Sequence, residues 1–117
     1  MSGRLSYHGG CAAEDQVAAH YRVQGMTIAA SRWRGQSGEI DLIARNGDAV
    51  VFVEVKRARN FAIAAERLTS RQMARIYGAA SEFVAKEPAG QDTEMRFDVA
   101  LVDGAGRIEI IDNAIFH

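Results

Sequence analysis

The alternation of apolar and polar residues divides the chain into seven segments. Within residues 10–24, Ala13, Val17, Ala18 and Tyr21 recur at helical spacing, and Gly25 follows where a helix C-terminus favours glycine. Residues 26–30 are apolar and predict a strand that continues through residues 31–37 and turns at Gly35 and Gly38. Residues 39–45 (Glu-Ile-Asp-Leu-Ile-Ala-Arg) and 49–56 (Ala-Val-Val-Phe-Val-Glu-Val-Lys) predict two further strands. Between them lies Asn46-Gly47-Asp48, a hairpin signal, because Asn-Gly tolerates the positive φ angles of a type I′ turn. The unbroken apolar run before Glu54 predicts burial on both faces, hence a central strand.

Residues 57–68 predict a loop with a short helical turn. Thr69, with Gln72 three residues on, has the capping-box pattern of a helix start. Met73, Ile76, Tyr77, Ala80, Phe83 and Val84 then form an apolar stripe, read as core or partly as a dimer face. Pro88 follows that helix, residues 89–93 predict a loop, residues 96–102 a strand, 103–106 a turn and 107–111 a last strand. The order α-β-β-β-α-β-β predicts an α/β fold: a mixed central sheet of about five strands with a helix on each face.

Composition narrows this further. The 117 residues fit one domain spanning 1–117, with residues 1–9 expected to be a flexible N-terminal segment. Hydrophobic residues at 48% and charged residues at 25% are globular proportions. No apolar run approaches the ~20 residues of a membrane span, and the first ten residues lack the apolar core of a signal peptide. A single cysteine, Cys11, has no partner for an intramolecular disulfide, which suits a reducing compartment. The expectation is a cytoplasmic protein with no membrane partner. A net charge of −1 argues against coating nucleic acid through bulk charge. However, 12 of the 14 basic residues are arginine, whose planar fork suits phosphate.

Candidate chemistry lies on the hairpin. A two-residue turn at Asn46-Gly47 would put Asp41 opposite Phe52, with Glu54 on the diagonal, and side chains two apart share a strand face. Asp41, Glu54 and Lys56 are then expected on one side, with the carboxylates roughly 7–8 Å apart at the diagonal spacing. Two desolvated carboxylates repel unless a cation sits between them. Oxygen-only ligands favour Mg²⁺ or Mn²⁺ over zinc. Glu14 lies on the apolar face of the first helix, either as a third acid of this site or as a glutamate reaching solvent at the stripe's edge. The plainer alternative for Glu54-Val55-Lys56 is a solubilising cross-strand ion-pair ladder.

Gly38-Glu39-Ile40-Asp41-Leu42-Ile43 followed by Phe52-Val53-Glu54-Val55-Lys56 resembles the core of the PD-(D/E)xK nucleases. More narrowly, the chain resembles the YraN-like family of small bacterial predicted endonucleases, related to archaeal Holliday-junction resolvases. The resemblance extends through Glu14, Thr69–Gln72, Arg96-Phe97-Asp98-Val99 and Asn113-Ala114-Ile115-Phe116. It implies a restriction-endonuclease-like core and a metal-dependent endonuclease acting on nucleic acid, with branched or structured DNA as the expected substrate. Asp41 and Glu54 would bind Mg²⁺ or Mn²⁺, Lys56 would be catalytic and Glu14 would assist. A junction-resolving enzyme makes two symmetric cuts, so a homodimer is expected. Two departures stand out: Arg57-Ala58-Arg59 follows Lys56 where the family carries a threonine motif, and Arg71-Gln72 opens the second long helix where it carries lysine. The alternatives are a nucleic-acid-binding module without turnover and a protein-interaction scaffold.

Arg57, Arg59, Arg71 and Arg75 are read as a phosphate-holding rim rather than as plain surface charge, and Gln72 as able to touch water or phosphate. Trp33 is read as a packing residue at the sheet edge rather than a base-stacking one. His8, His20 and His117 lack metal-site spacing and are expected at the surface. Asp98 is expected to bond the neighbouring sheet.

Overall fold

The protein is described from a computed structural model that covers residues 12–114 in full and the backbone of residues 2–11. The flexible segment expected over residues 1–9, His8 and His117 lie outside the fully described residues. The elements run α1 (Ser2–Val23), β1 (Thr27–Arg34), β2 (Glu39–Asn46), β3 (Ala49–Arg57), α2 (Phe61–Glu66), α3 (Ser70–Val84), a 3-10 turn (Gly90–Asp92), β4 (Met95–Val102) and β5 (Ile108–Ile111). This is the predicted α/β order, with α2 supplying the short helix expected between β3 and the long helix α3.

The five strands form one sheet in the order β1-β2-β3-β4-β5. Only β3 and β4 pair in parallel; the other neighbours are antiparallel. The mixed sheet follows from the connections, since a parallel pair needs a long crossover and α2–α3 provides it. The central strand is β3, whose Val50, Val51, Phe52 and Val53 are buried on alternating faces. On one face α1 packs Ala13, Val17, Ala18 and Tyr21 against Leu42, Ala44, Val51, Val53 and Ala100. On the other, α3 packs Ile76, Ala79, Ala80 and Val84 against Ile40, Ile43, Phe52 and Phe97.

The helix boundaries follow local chemistry. Gly25 adopts φ +91°, the left-handed conformation that ends α1. At the start of α3 the Thr69 hydroxyl accepts the Gln72 N–H at 3.1 Å, a cap worth about 1 kcal/mol. Tyr77 departs from the predicted stripe: it is 47% exposed, and its ring stacks on Phe97 with centroids 5.5 Å apart and planes 16° apart. Trp33 is a packing residue, as expected, meeting Phe83 edge-on at 5.5 Å. The connection between β1 and β2 is dovetailed into α3. The Glu82 carboxylate accepts the Gln36 and Ser37 N–H groups at 2.8 and 2.9 Å, and Gly78 is crossed so closely that a Cβ there would stand 2.7 Å from Ser37 Oγ.

The hairpin differs from its prediction. Asn46 pairs with Ala49, so the two-residue loop is Gly47-Asp48 and not Asn46-Gly47. Gly47 has φ +63° while Asp48 stays out of the left-handed region, the pattern of a type II′ turn rather than type I′. Glycine, having no Cβ, takes the first central position at least cost. The register therefore moves by two residues, which preserves which face each side chain occupies.

Candidate active site

The shifted register changes the pairing at the candidate site. Leu42 faces Val53 as the last pair of the β2–β3 ladder. Continued by one step, this register sets Asp41 opposite Glu54 rather than diagonal to it. The two strands separate there. Ile40 and Ile43 both pack on the α3 side while Leu42 and Ala44 pack on the α1 side, so strict alternation breaks at Asp41. In place of a backbone carbonyl, the Asp41 carboxylate accepts the Val55 N–H, at 2.8 Å. That bond satisfies an amide freed by the splaying strands and holds one carboxylate oxygen in place. On the opposite edge of β2, Arg32 adopts φ +50°, interrupting β1 level with Asp41.

Glu54 is 7% exposed on the α3 side of β3. Lys56, two residues on and on the same face, brings Nζ within 3.1 Å of Glu54 Oε1. From α3, Gln72 Nε2 donates to the same oxygen at 3.4 Å. Asp41, Glu54 and Lys56, read from the sequence as one group, are thus brought together. Gln72, read from the sequence as a contact to water or phosphate, bonds the site carboxylate. Its role was hidden because it depends on where α3 docks, 18 residues further along the chain. The Thr69 cap fixes the first turn of α3 and so aims Gln72.

Glu14 approaches from α1. Its carboxylate is 18% exposed and accepts a hydrogen bond from Arg32 Nε at 3.1 Å. Glu14 lies near enough for its charge to act on Asp41. Burial, then the Glu54 carboxylate, push the Asp41 carboxyl up from an ordinary 3.8 to about 7, with Glu14 adding to the rise and the Val55 amide opposing it. Two acids held against their own repulsion in a desolvated place form a site that a cation would relieve.

The donor set fits a hard divalent cation. Asp41 and Glu54 offer oxygen ligands only. Among the described residues, no three histidine, cysteine, aspartate or glutamate side chains converge into a complete metal cage. Mg²⁺ is commonly bound by one or two carboxylates, with water and substrate phosphate completing the shell, and two carboxylates meet that need.

The four arginines of the predicted rim are all exposed but fall into two pairs. Arg57 is the last residue of β3 and Arg59 lies two beyond it, near the β4–β5 turn, where the Arg59 carbonyl accepts the Gly104 N–H at 3.4 Å. Arg71 and Arg75 lie on α3, and Arg75 Cβ closes on Gly38, where an added Cβ would stand 3.2 Å away. Asp98 is a correction: it is fully buried and bonds a helix as well as its own sheet. Its carboxylate accepts from Arg96 Nε and an Arg96 terminal nitrogen, both at 2.9 Å, from the Tyr21 hydroxyl of α1 at 2.7 Å, and from the Asn113 N–H at 3.2 Å. This network pins α1 to β4 and leaves Asp98 no free oxygen for chemistry. His20 contacts Gln24 at 3.0 Å and takes no part in the site.

Among the described residues no helix is long and apolar enough to cross a membrane. Residues 13–102 match the model of a family described as "Uncharacterised protein family UPF0102". A UPF0102 protein of Cereibacter sphaeroides strain KD131 is 63% identical over 114 residues, covering 97% of each chain. One of Ruegeria pomeroyi is 58% identical over 115 residues, covering 98% of this chain and 94% of its own, and one of Roseobacter denitrificans is 51% identical over 114 residues, covering 97% and 88%.

Proposed function

We propose, from the premise that this chain belongs to the uncharacterised protein family UPF0102, that it is a Mg²⁺- or Mn²⁺-dependent endonuclease of the PD-(D/E)xK type. It would hydrolyse phosphodiester bonds in branched or structured DNA, in the cytoplasm, as a homodimer where two symmetric cuts are needed. One observation carries the reading. Just past the last pair of the β2–β3 ladder, the Asp41 carboxylate accepts the Val55 N–H at 2.8 Å, beside buried Glu54, and the Lys56 ammonium stands 3.1 Å from Glu54. A solubilising ion-pair ladder would sit on an exposed sheet face, whereas Glu54 is buried and Asp41 is raised to about 7.

Asp41 and Glu54 would hold the cation. When bound, it supplies Lewis acidity that polarises the scissile phosphate and makes the attacking water more acidic. The residues themselves do the positioning. The Val55 amide fixes one Asp41 oxygen, and Gln72 and Lys56 orient Glu54. Lys56 is placed to hydrogen-bond the attacking water or to balance charge growing on the phosphate. Water attacks phosphorus in line: the new P–O bond forms as the opposite P–O bond breaks, and the leaving oxygen takes a proton. Glu14, steadied by Arg32, adds acidic character beside Asp41.

The test is cleavage of labelled single strands, duplex, flap and four-way junction in Mg²⁺ and in Mn²⁺, with Asp41→Ala, Lys56→Ala and metal-free controls. Metal-dependent cutting that both substitutions abolish is the expected result, and the preferred shape names the substrate. Binding without cutting, equal in all variants, overturns the nuclease reading in favour of a binding module.

A further inference from the structure

A groove of about 310 Å³ lies between α1 and the β4–β5 turn, lined by Ala12, Gln16, Arg57 and the turn residues Gly104 to Gly106. It is built partly from the two elements that carry Lys56 and Glu14, β3 and α1. Arg57 directly follows Lys56 on β3, and Ala12, Ala13 and Gln16 flank Glu14 on α1. The groove lies on the α1 side of the sheet, and Arg71 and Arg75 belong to α3 on the other side.

Three features of the groove match a phosphodiester strand. First, the Arg57 guanidinium is exposed and, among the described residues, has no acidic partner. Second, the one buried acid of the wall is already engaged. Asp103 accepts the Ala105 and Arg107 N–H groups at 2.9 and 2.8 Å and the Arg107 guanidinium at 2.7 Å, so its charge is balanced and the turn is rigid. Third, the turn is walled by glycines, which let a sugar–phosphate backbone come close. Gly106, at φ +83°, already sits against the Gln16 amide, where an added Cβ would be 3.4 Å from Nε2.

We infer that this groove is a subsite for the nucleic-acid backbone flanking the scissile phosphate, with Arg57 and the Gln16 amide as phosphate contacts. It rests on the nuclease reading and adds a track: the strand enters over Arg57 and Arg59, crosses the carboxylates at the sheet's end and leaves along Arg71 and Arg75. Phosphate contacts of this kind set position without reading sequence.

The test measures binding of a fluorescein-labelled 20-nucleotide single strand and its duplex in Mg²⁺, using the Lys56→Ala protein so that nothing is cut. Ala12 is exposed on the groove wall, so its charge can be changed at little structural cost. Arg57→Ala and Ala12→Glu are expected to weaken binding about 5- to 10-fold at 0.1 M salt, Arg57→Ala to reduce the salt slope by about one, and Ala12→Arg to tighten binding. Opposite movements for the two Ala12 variants separate a charge effect from damage to the fold. If Arg57→Ala and both Ala12 variants bind like their parent while Arg71→Ala weakens binding, the strand does not enter the groove and the inference fails alone. If the parent binds neither probe, it falls together with the nuclease reading.

Discussion

Asp41→Asn should stabilise the metal-free protein while destroying its response to metal. Asn keeps an oxygen to accept the Val55 N–H, which Asp41 now accepts at 2.8 Å, and brings an N–H that can bond Glu54 in place of a charge that repels it. The magnitude follows from the displaced titration. An Asp41 carboxyl raised from 3.8 to about 7 bounds the ionisation cost in the folded state at on the order of 4 kcal/mol above pH 7. Since Asp41 is only half-buried and solvent screens part of that cost, about 2 kcal/mol is the working figure, roughly 6–10 °C in Tm for a chain of this size. The sign is set by linkage. A carboxyl whose folded pKa is raised lends stability that is complete below about 3.8 and lost as pH rises through about 7. The advantage of Asp41→Asn is therefore largest at pH 8, shrinks below pH 7 and vanishes near pH 4. The assay is thermal unfolding of both proteins across pH 4–8 in a chelator, then with millimolar Mn²⁺, which should raise the Tm of the parent only. No gain for Asp41→Asn at pH 8, or a gain that grows toward low pH, would refute the account of two acids in a desolvated site.

Gln72→Ala should leave Tm nearly unchanged but weaken Mn²⁺ binding about 10-fold, as expected when a partner orienting a ligand is lost; calorimetric titration reads this directly. Tyr21→Phe removes the 2.7 Å hydrogen bond to buried Asp98 and should cost about 1.5–3 kcal/mol in urea unfolding, because the acceptor is charged. Mn²⁺ affinity should be unaffected if Asp98 is purely structural. Gly78→Ala drives a Cβ to within 2.7 Å of Ser37 Oγ and should cost about 1–3 kcal/mol. In a Ser37→Gly background the same change should become neutral or favourable, since Ala gains about 1 kcal/mol over Gly in a helix; equal costs in both backgrounds would place the strain elsewhere.

How much of this was legible in the sequence depended on the range of the interaction concerned. Elements set by neighbours within a few residues were readable: the Gly25 terminus of α1, the Thr69 cap of α3, and the unbroken apolar run that makes β3 central. Face assignment along β3 was also readable, because side chains alternate with a period of two. Asp41 stayed grouped with Glu54 and Lys56 because the turn on Gly47-Asp48 moved the register by two, an even number.

The tertiary structure decided what depends on how distant segments dock. It turned the Asp41 carboxylate onto the Val55 amide beside Glu54, because register beyond a hairpin is set by the turn's φ angles and by where the strands splay. It brought Gln72 onto Glu54 and Arg32 onto Glu14 across 18 residues each, and Tyr21 onto Asp98 across 77. Periodicity says which face a residue occupies but not what stands across from it. Helix and strand patterns therefore determined the layers, and only the packing of α1 and α3 on the sheet made a site of their polar residues.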